Sequence, residues 1–172
     1  MQLRSIISSM LPFGNIRKRL KETTRELSKF RLVLDQAPAA VYIINKDMYF
    51  EYINPSFTAQ SGYTKDDLLN KHVNATIYKG KIPESRQHIV DALIKGETWQ
   101  GELLSYHKTG RTYWASTIAS PYKNEKNEVE GFIIIQQDIT EHKRIQIALD
   151  ESEKLYRTLI EKSIDGVVLS QN

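Results

Sequence analysis

The sequence predicts an α+β domain: one five-stranded antiparallel sheet with short helices on one face, flanked by amphipathic helices at both ends. Two strand-like stretches precede a helical middle and three longer ones follow it. At either end, apolar residues recur with alternating spacings of four and three, the period of an amphipathic helix.

The elements follow in order. Residues 1–15 form a leader broken by Pro12 and Gly14. Ile16, Leu20, Thr23, Leu27, Phe30 and Leu34 then trace the seam of a short coiled coil. Ile16, Leu20, Leu27, Phe30 and Leu34 are its candidate dimer contacts, and packing of one helix on its own domain is the alternative. Pro38 stops this helix. Val41-Tyr42-Ile43-Ile44 is β-rich and ends in the turn residues Asn45-Lys46-Asp47, so residues 48–53 return as a hairpin. Asn54-Pro55 reads as a helix start, a capping side chain followed by Pro at the first helical position, and Gly62 closes that helix. Thr64 and Asp67 are spaced as a capping box, with Leu68 and Leu69 inward. Past Pro83, Ile89/Leu93 and Val90/Ile94 mark a longer helix that ends at Gly96.

Three strands complete the sheet. Residues 99–107 turn at Lys108-Thr109-Gly110 into residues 111–120, which Pro121 closes. Residues 129–139 are the most apolar strand and are expected at the centre. From Thr140 a second helix steps through Ile145, Leu149, Ser152, Tyr156, Leu159 and Ser163 until Asp165-Gly166 breaks it, and Val167-Val168-Leu169 looks like a new strand. Residues 30–43 can be laid on residues 156–169 at a constant offset, so a second copy of the same unit is expected to begin there. The expected organisation is a basic leader and helix over 1–36, the domain over 37–140, an exit helix over 141–163, and the truncated start of a second domain over 164–172.

Composition narrows the function. The chain has 172 residues and no cysteine, which excludes disulfides, thiolate zinc sites and cysteine nucleophiles. Residues 1–36 hold eight basic and three acidic side chains, a net charge of +5, while the remainder is nearly balanced. The basic arm is expected to be a solvated helix face, with contact to an anionic membrane as the sharper reading and no nucleic-acid binding. No apolar run spans a bilayer and no secretory leader is evident, so a cytoplasmic protein is expected. There is no kinase catalytic set, Gly-rich nucleotide loop or metal-hydrolase pair. His72, His88, His107 and His142 lack ligand spacing, so neither catalytic nor metal-binding residues are assigned.

Several short motifs occur in a telling order: Asn54-Pro55-Ser56-Phe57, Gly62-Tyr63-Thr64, Asp67-Leu68-Leu69, Trp99-Gln100-Gly101-Glu102, residues 108–114, and Asp138-Ile139-Thr140-Glu141. Together, over residues 29–142, they resemble the PAS domain. The resemblance implies a sensory or dimerising module of a signal-transduction protein, such as the front of a multi-PAS histidine kinase or cyclic-dinucleotide enzyme. Its partners would be a second copy, a downstream effector domain or partner kinase, and a small-molecule ligand. A ligand-free protein–protein adaptor is the alternative.

The resemblance also implies a cavity between sheet and helices. Its candidate lining is Tyr42, Phe57, His88, Trp99, Tyr106, Trp114, Ile134 and Gln136, with Gln136 facing inward to bond a ligand or a neighbour. Asp138 and Thr140 are the candidate signal relay, Thr140 capping the exit helix and Asp138 tying it to the sheet. The cofactor stays open. A filled core without one is the first reading, and flavin-adenine dinucleotide (FAD) or haem are the others. In the light-oxygen-voltage branch a reactive cysteine stands where this chain has Ala75, and two flavin-reading amides where it has Ser105 and Ala115. Ala75 excludes adduct photochemistry, and with Gln136 alone matching, that mode of flavin binding is not expected. His88 lies where haem-binding relatives place a proximal ligand.

Overall fold

Which stretches pair, and in what register, follows from their alternation of apolar and polar residues. The computed structural model describes residues 13–169 apart from Lys81. Helix α1 (Phe13–Gln36) leads into β1 (Ala40–Asn45) and β2 (Phe50–Ile53), then α2 (Pro55–Ser61), α3 (Lys65–Leu68), a 3-10 turn (Val73–Ala75), a second 3-10 turn (Glu84–Arg86) and α4 (Gln87–Ile94). Strands β3 (Trp99–Tyr106), β4 (Thr112–Lys123) and β5 (Val129–Asp138) follow, and α5 (Thr140–Leu169) leaves the domain. The strands form one antiparallel sheet in the order β2-β1-β5-β4-β3. The apolar strand β5 is therefore central, as its composition predicts.

One face of this sheet carries the core. Ile44 and Phe132 are partners across β1 and β5, as are Tyr42 and Ile134. With Phe50, Ile53, Phe57, Leu68, Val73 and Leu93, the residues Ile44, Phe132 and Ile134 form a single buried cluster under the short helices, against which partly buried Tyr42 packs. The outer face keeps Trp114, Ile118 and Ile135 partly exposed.

The caps behave as their residue types require. Gly62 ends α2 at φ +75°, a left-handed conformation open to glycine without penalty. Around α3 the Thr64 hydroxyl accepts from the Asp67 N–H, while Asp67 accepts from the Thr64 N–H at 2.8 Å and from Lys108 Nζ at 2.7 Å. Lys108, and then Thr64, hold the Asp67 carboxyl well below the usual carboxylate range. A depressed folded-state pKa contributes stability above the unfolded value of about 4 and loses it as pH falls below that. We therefore expect Asp67→Asn to reduce the urea midpoint at pH 7 and to flatten its fall between about pH 5 and 2, measured against the unsubstituted chain.

Two expectations are corrected. Pro121 does not end β4 but lies within it, opposite Phe132. The β3 partnership of β4 ends at Trp99–Ala119, so from Ser120 onward β4 borders β5 alone and a missing N–H is tolerated on the open side. Residues 167–169 are helical rather than a strand, because α5 runs through Asp165-Gly166 to Leu169. A helix satisfies its own backbone groups, whereas a strand there would need a neighbouring edge, and no described strand reaches it. The leader's apolar residues Leu3, Ile6, Ile7, Met10 and Leu11 lie outside the described residues.

Candidate functional site

Parity along the strands decides what faces the space between sheet and helices. On β4 the buried positions are Tyr113, Ala115, Thr117 and Ala119; on β5 they include Phe132, Ile134 and Gln136. Small residues at Thr117 and Ala119 leave a hollow above the sheet instead of filling it. The hollow has a larger lobe of about 70 Å³ and a smaller one of about 20 Å³. Tyr42, Ile77, Tyr78, Arg86 and Gln136 border both lobes.

The larger lobe is mainly aliphatic: Ile44, Val73, Ile82, Ile89, Leu93 and Ile134 contribute to it, with Trp99 at one edge. The smaller lobe is polar, with Ser61, Ser105 and Tyr113 on its wall. Gln136 is almost fully buried and donates through Nε2 to Thr117 Oγ1 at 3.2 Å. Buried Ser105 makes no hydrogen bond of good geometry through its hydroxyl among the described residues, the Tyr113 hydroxyl being its polar neighbour. Arg86 reaches in from the turn before α4, donating to the Leu104 carbonyl at 2.5 Å and to the Tyr78 hydroxyl at 3.3 Å. Burial first, then Tyr78 and Tyr113, drive Tyr42 far above the usual phenol range despite the opposing Arg86 charge, so Tyr42 stays neutral at physiological pH.

The expected lining is brought together only in part. Tyr42, Trp99, Ile134 and Gln136 border the larger lobe, and Phe57 and Tyr106 border the smaller. Trp114 does not: it occupies the outward parity of β4, is 40 % exposed, and packs under Lys143 Nζ at 5.6 Å. His88 is exposed on α4 and meets the edge of Trp99 at 5.9 Å, outside the cavity. An exposed His on the side of α4 away from Ile89 and Leu93 cannot reach the hollow those residues line. Sequence reasoning missed Arg86, Thr117 and Tyr78. For Thr117, the alternation with Ala115 and Ala119 was a readable signal; nothing around Arg86 marked it.

These side chains do not fit haem or a flavin ring. None of the four histidines borders the cavity, and a ring system of that size needs a pocket of about 300 Å³ or more. Ala75, at the reactive-cysteine position, is exposed, while Ser105 and Ala115 do face inward but lack the amides.

At the exit, β5 passes directly into α5. The Asp138 carboxylate accepts from the Thr140 N–H at 2.8 Å, and the Thr140 hydroxyl accepts from the Trp114 N–H of β4 at 2.9 Å. The two roles are thus the reverse of those expected: Asp138 caps the helix and Thr140 ties it to the sheet. A carboxylate two residues before the first free helical N–H is well placed to satisfy it. Lys143 adds an ion pair with Glu102 on β3.

At the entrance, Asn54 is fully buried and makes four side-chain hydrogen bonds. Its Oδ1 accepts from the N–H groups of Phe57 and Val41, and its Nδ2 donates to the carbonyls of Leu34 and Ala39. Ser56 donates to the Ala37 carbonyl at 2.6 Å and Tyr52 to Asp35 at 2.7 Å. Burial and then the Asp35 bond push Tyr52 up to about 12, so it remains a proton donor. The end of α1 is therefore held on the domain by three polar side chains.

A cavity under half of a sheet, with a helix moored at each side of it, is the architecture of a sensory module whose interior and termini share strands. The PAS domain model matches residues 38–141, and the chain belongs to the PAS domain family. It is similar to a nitrogen fixation regulatory protein of Klebsiella pneumoniae, 24% identical over 138 residues, covering 80% of this chain and 27% of that protein. It is also similar to a blue-light-activated histidine kinase of Brucella anthropi, 26% identical over 120 residues, covering 68% and 24%. A PAS domain from Colwellia psychrerythraea superposes with a TM-score of 0.57 at 23% identity, covering 67% of this chain and 98% of that one. The chain thus spans about a quarter of the length of these two curated relatives. The matched unit is a sensory domain homologous to those of signal-transduction proteins. No helix of the described residues is long and apolar enough to cross a membrane.

Proposed function

We propose that this chain is a sensory and dimerisation module that relays the state of its cavity through β5 to α5, and from there to an effector in a longer signalling protein. The observation that supports it best is the layout of one strand. Gln136 faces the cavity, and two residues later Asp138 caps the exit helix. A shift of the Gln136–Asp138 segment by a fraction of an ångström would alter the cavity wall and the helix cap together. A kinase is the favoured effector, in line with the Brucella relative, and residues 164–172 would open a second domain.

The dimer would be built on the helices. Leu20, Leu27 and Phe30 of α1 stand 64–70% exposed on a single chain, and Ile145, Leu149 and Leu159 of α5 more than half exposed. Apolar side chains repeating at seam spacing are best covered by a second copy of the same helix. Leu34 is half-buried, since α1 meets the domain at that end.

The test uses the absence of native cysteine. Glu153→Cys, spin-labelled, reports the separation of the two exit helices in a dimer. We expect Asp138→Ala and Thr140→Val each to broaden that distance distribution, because each removes a bond worth about 1 kcal/mol between strand and helix. Unchanged distributions in both variants would remove the relay from this reading. The ligand-free adaptor reading draws on the partly exposed outer sheet face of Trp114, Ile118 and Ile135. Native mass measurement of the purified protein separates the two, since an adaptor carries no bound small molecule.

A further inference from the structure

The cavity has an unbalanced charge. Arg86 borders both lobes, yet no Asp or Glu lines either of them. Among the described residues its guanidinium donates only to neutral oxygens, the Leu104 carbonyl and the Tyr78 hydroxyl. A half-buried cation without a counter-ion favours an anion in the same space. Beside it, the buried Ser105 hydroxyl has the Tyr113 hydroxyl as its polar neighbour but makes no hydrogen bond of good geometry among the described residues, and buried polar groups of this kind are normally satisfied. Both groups are donors, and both border the smaller lobe. The adjoining lobe is lined mainly by aliphatic side chains, with Tyr42, Tyr78, Arg86, Thr117 and Gln136 as its polar groups.

We propose that the cavity binds a small carboxylic acid with an aliphatic tail, its carboxylate paired with Arg86 and bonded by Ser105, its tail in the lobe floored by Ala119 and Ile134. This rests on the sensory reading and names the ligand class of that same cavity. Arginine suits the role because its fork of N–H donors matches the two oxygens of a carboxylate. Size sets the tail. At about 10–15 Å³ per water-sized group, the two lobes hold roughly six to nine groups, which corresponds to a straight or branched acid of about four to seven carbons. Larger acids would have to displace α4.

Titration with sodium hexanoate and sodium isovalerate, followed by thermal denaturation and by amide chemical shifts, tests the proposal. Hexanamide has the same shape without the charge, and sodium chloride at equal concentration controls for salt. The expected result is a rise in Tm with either acid and none with hexanamide. Arg86→Gln should weaken hexanoate binding about tenfold or more, Arg86→Lys should recover part of it, and Ser105→Val should weaken it further from inside the polar lobe. Circular dichroism of each free variant confirms that it is folded. Equal binding of hexanamide, undiminished binding by folded Arg86→Gln, or no response to either acid up to about 10 mM would overturn the proposal. The outcome is independent of the spin-label experiment, which reads the coupling of strand to helix without added ligand: failure here removes the ligand class, failure there the relay.

Discussion

Asn54→Ala is expected to lower the stability of the domain by about 3 kcal/mol or more, a fall in Tm of roughly 12–20 °C for a domain of this length. The loss exceeds that of an ordinary helix cap because four partners lose their bonds at once. Val41 and Phe57 keep buried N–H groups with nothing to donate to, and the carbonyls of Leu34 and Ala39 lose their donor. Asn54→Ser separates the cap from the hub. A serine can still accept from Phe57 and should recover about 1 kcal/mol, leaving the bonds to Leu34, Ala39 and Val41 unmade. Asn54→Asp keeps the acceptor but sets a carboxylate oxygen against two carbonyls. It should be no better than alanine at pH 7 and should improve on acidification, since protonation restores one donor. Chemical denaturation of the three variants measures all of this. Full rescue by serine would reduce Asn54 to a cap and detach α1 from the account.

That hub shows where sequence reading stops. Asn54-Pro55 was legible as a helix start because capping is local: the acceptor and the N–H it serves lie three residues apart. The bonds to Leu34 and Ala39 join residues 20 and 15 positions away, and no spacing rule reports them. The same division runs through the cavity. The apolar character of β5 placed it at the centre, and Gln136 stood out as a polar residue on that strand. Trp114 was drawn inward by its size, whereas its parity with Ile118, against Ala115 and Thr117, sends it outward. Arg86 was invisible because its role depends on a carbonyl 18 residues later and on the absence of any acid around the hollow. At the exit, both Asp138 and Thr140 were identifiable as polar residues at a strand-to-helix junction. Which of them caps and which ties back depended on β4 lying alongside, a long-range fact.

Gly131→Ala should cost about 2–4 kcal/mol, from overpacking plus a weakened ladder. Gly131 lies opposite Asn45 on one side and Tyr122 on the other, deep in the sheet. A Cβ there would overlap the carbonyl oxygen of Ile44 and stand 2.6 Å from the Tyr122 ring. The ring can swing away at the cost of its bond to Glu51, but the Ile44 carbonyl is main chain within β1 and can move only if the strand does. The double variant Gly131→Ala/Tyr122→Ala decides between the two obstacles. If the main chain is the barrier, the double variant stays at least as unstable as Gly131→Ala alone; if the ring is, removing it restores stability beyond the additive expectation. Gly131 is also five residues from Gln136, about 17 Å along the strand, at the end away from the exit helix. Below its lowered melting point the Gly131→Ala protein should therefore keep the exit-helix distances of the unsubstituted chain, whereas Asp138→Ala should change those distances with little loss of stability. A strand that carries a signal only along its Gln136–Asp138 segment makes these two losses separable; one that must move as a whole does not.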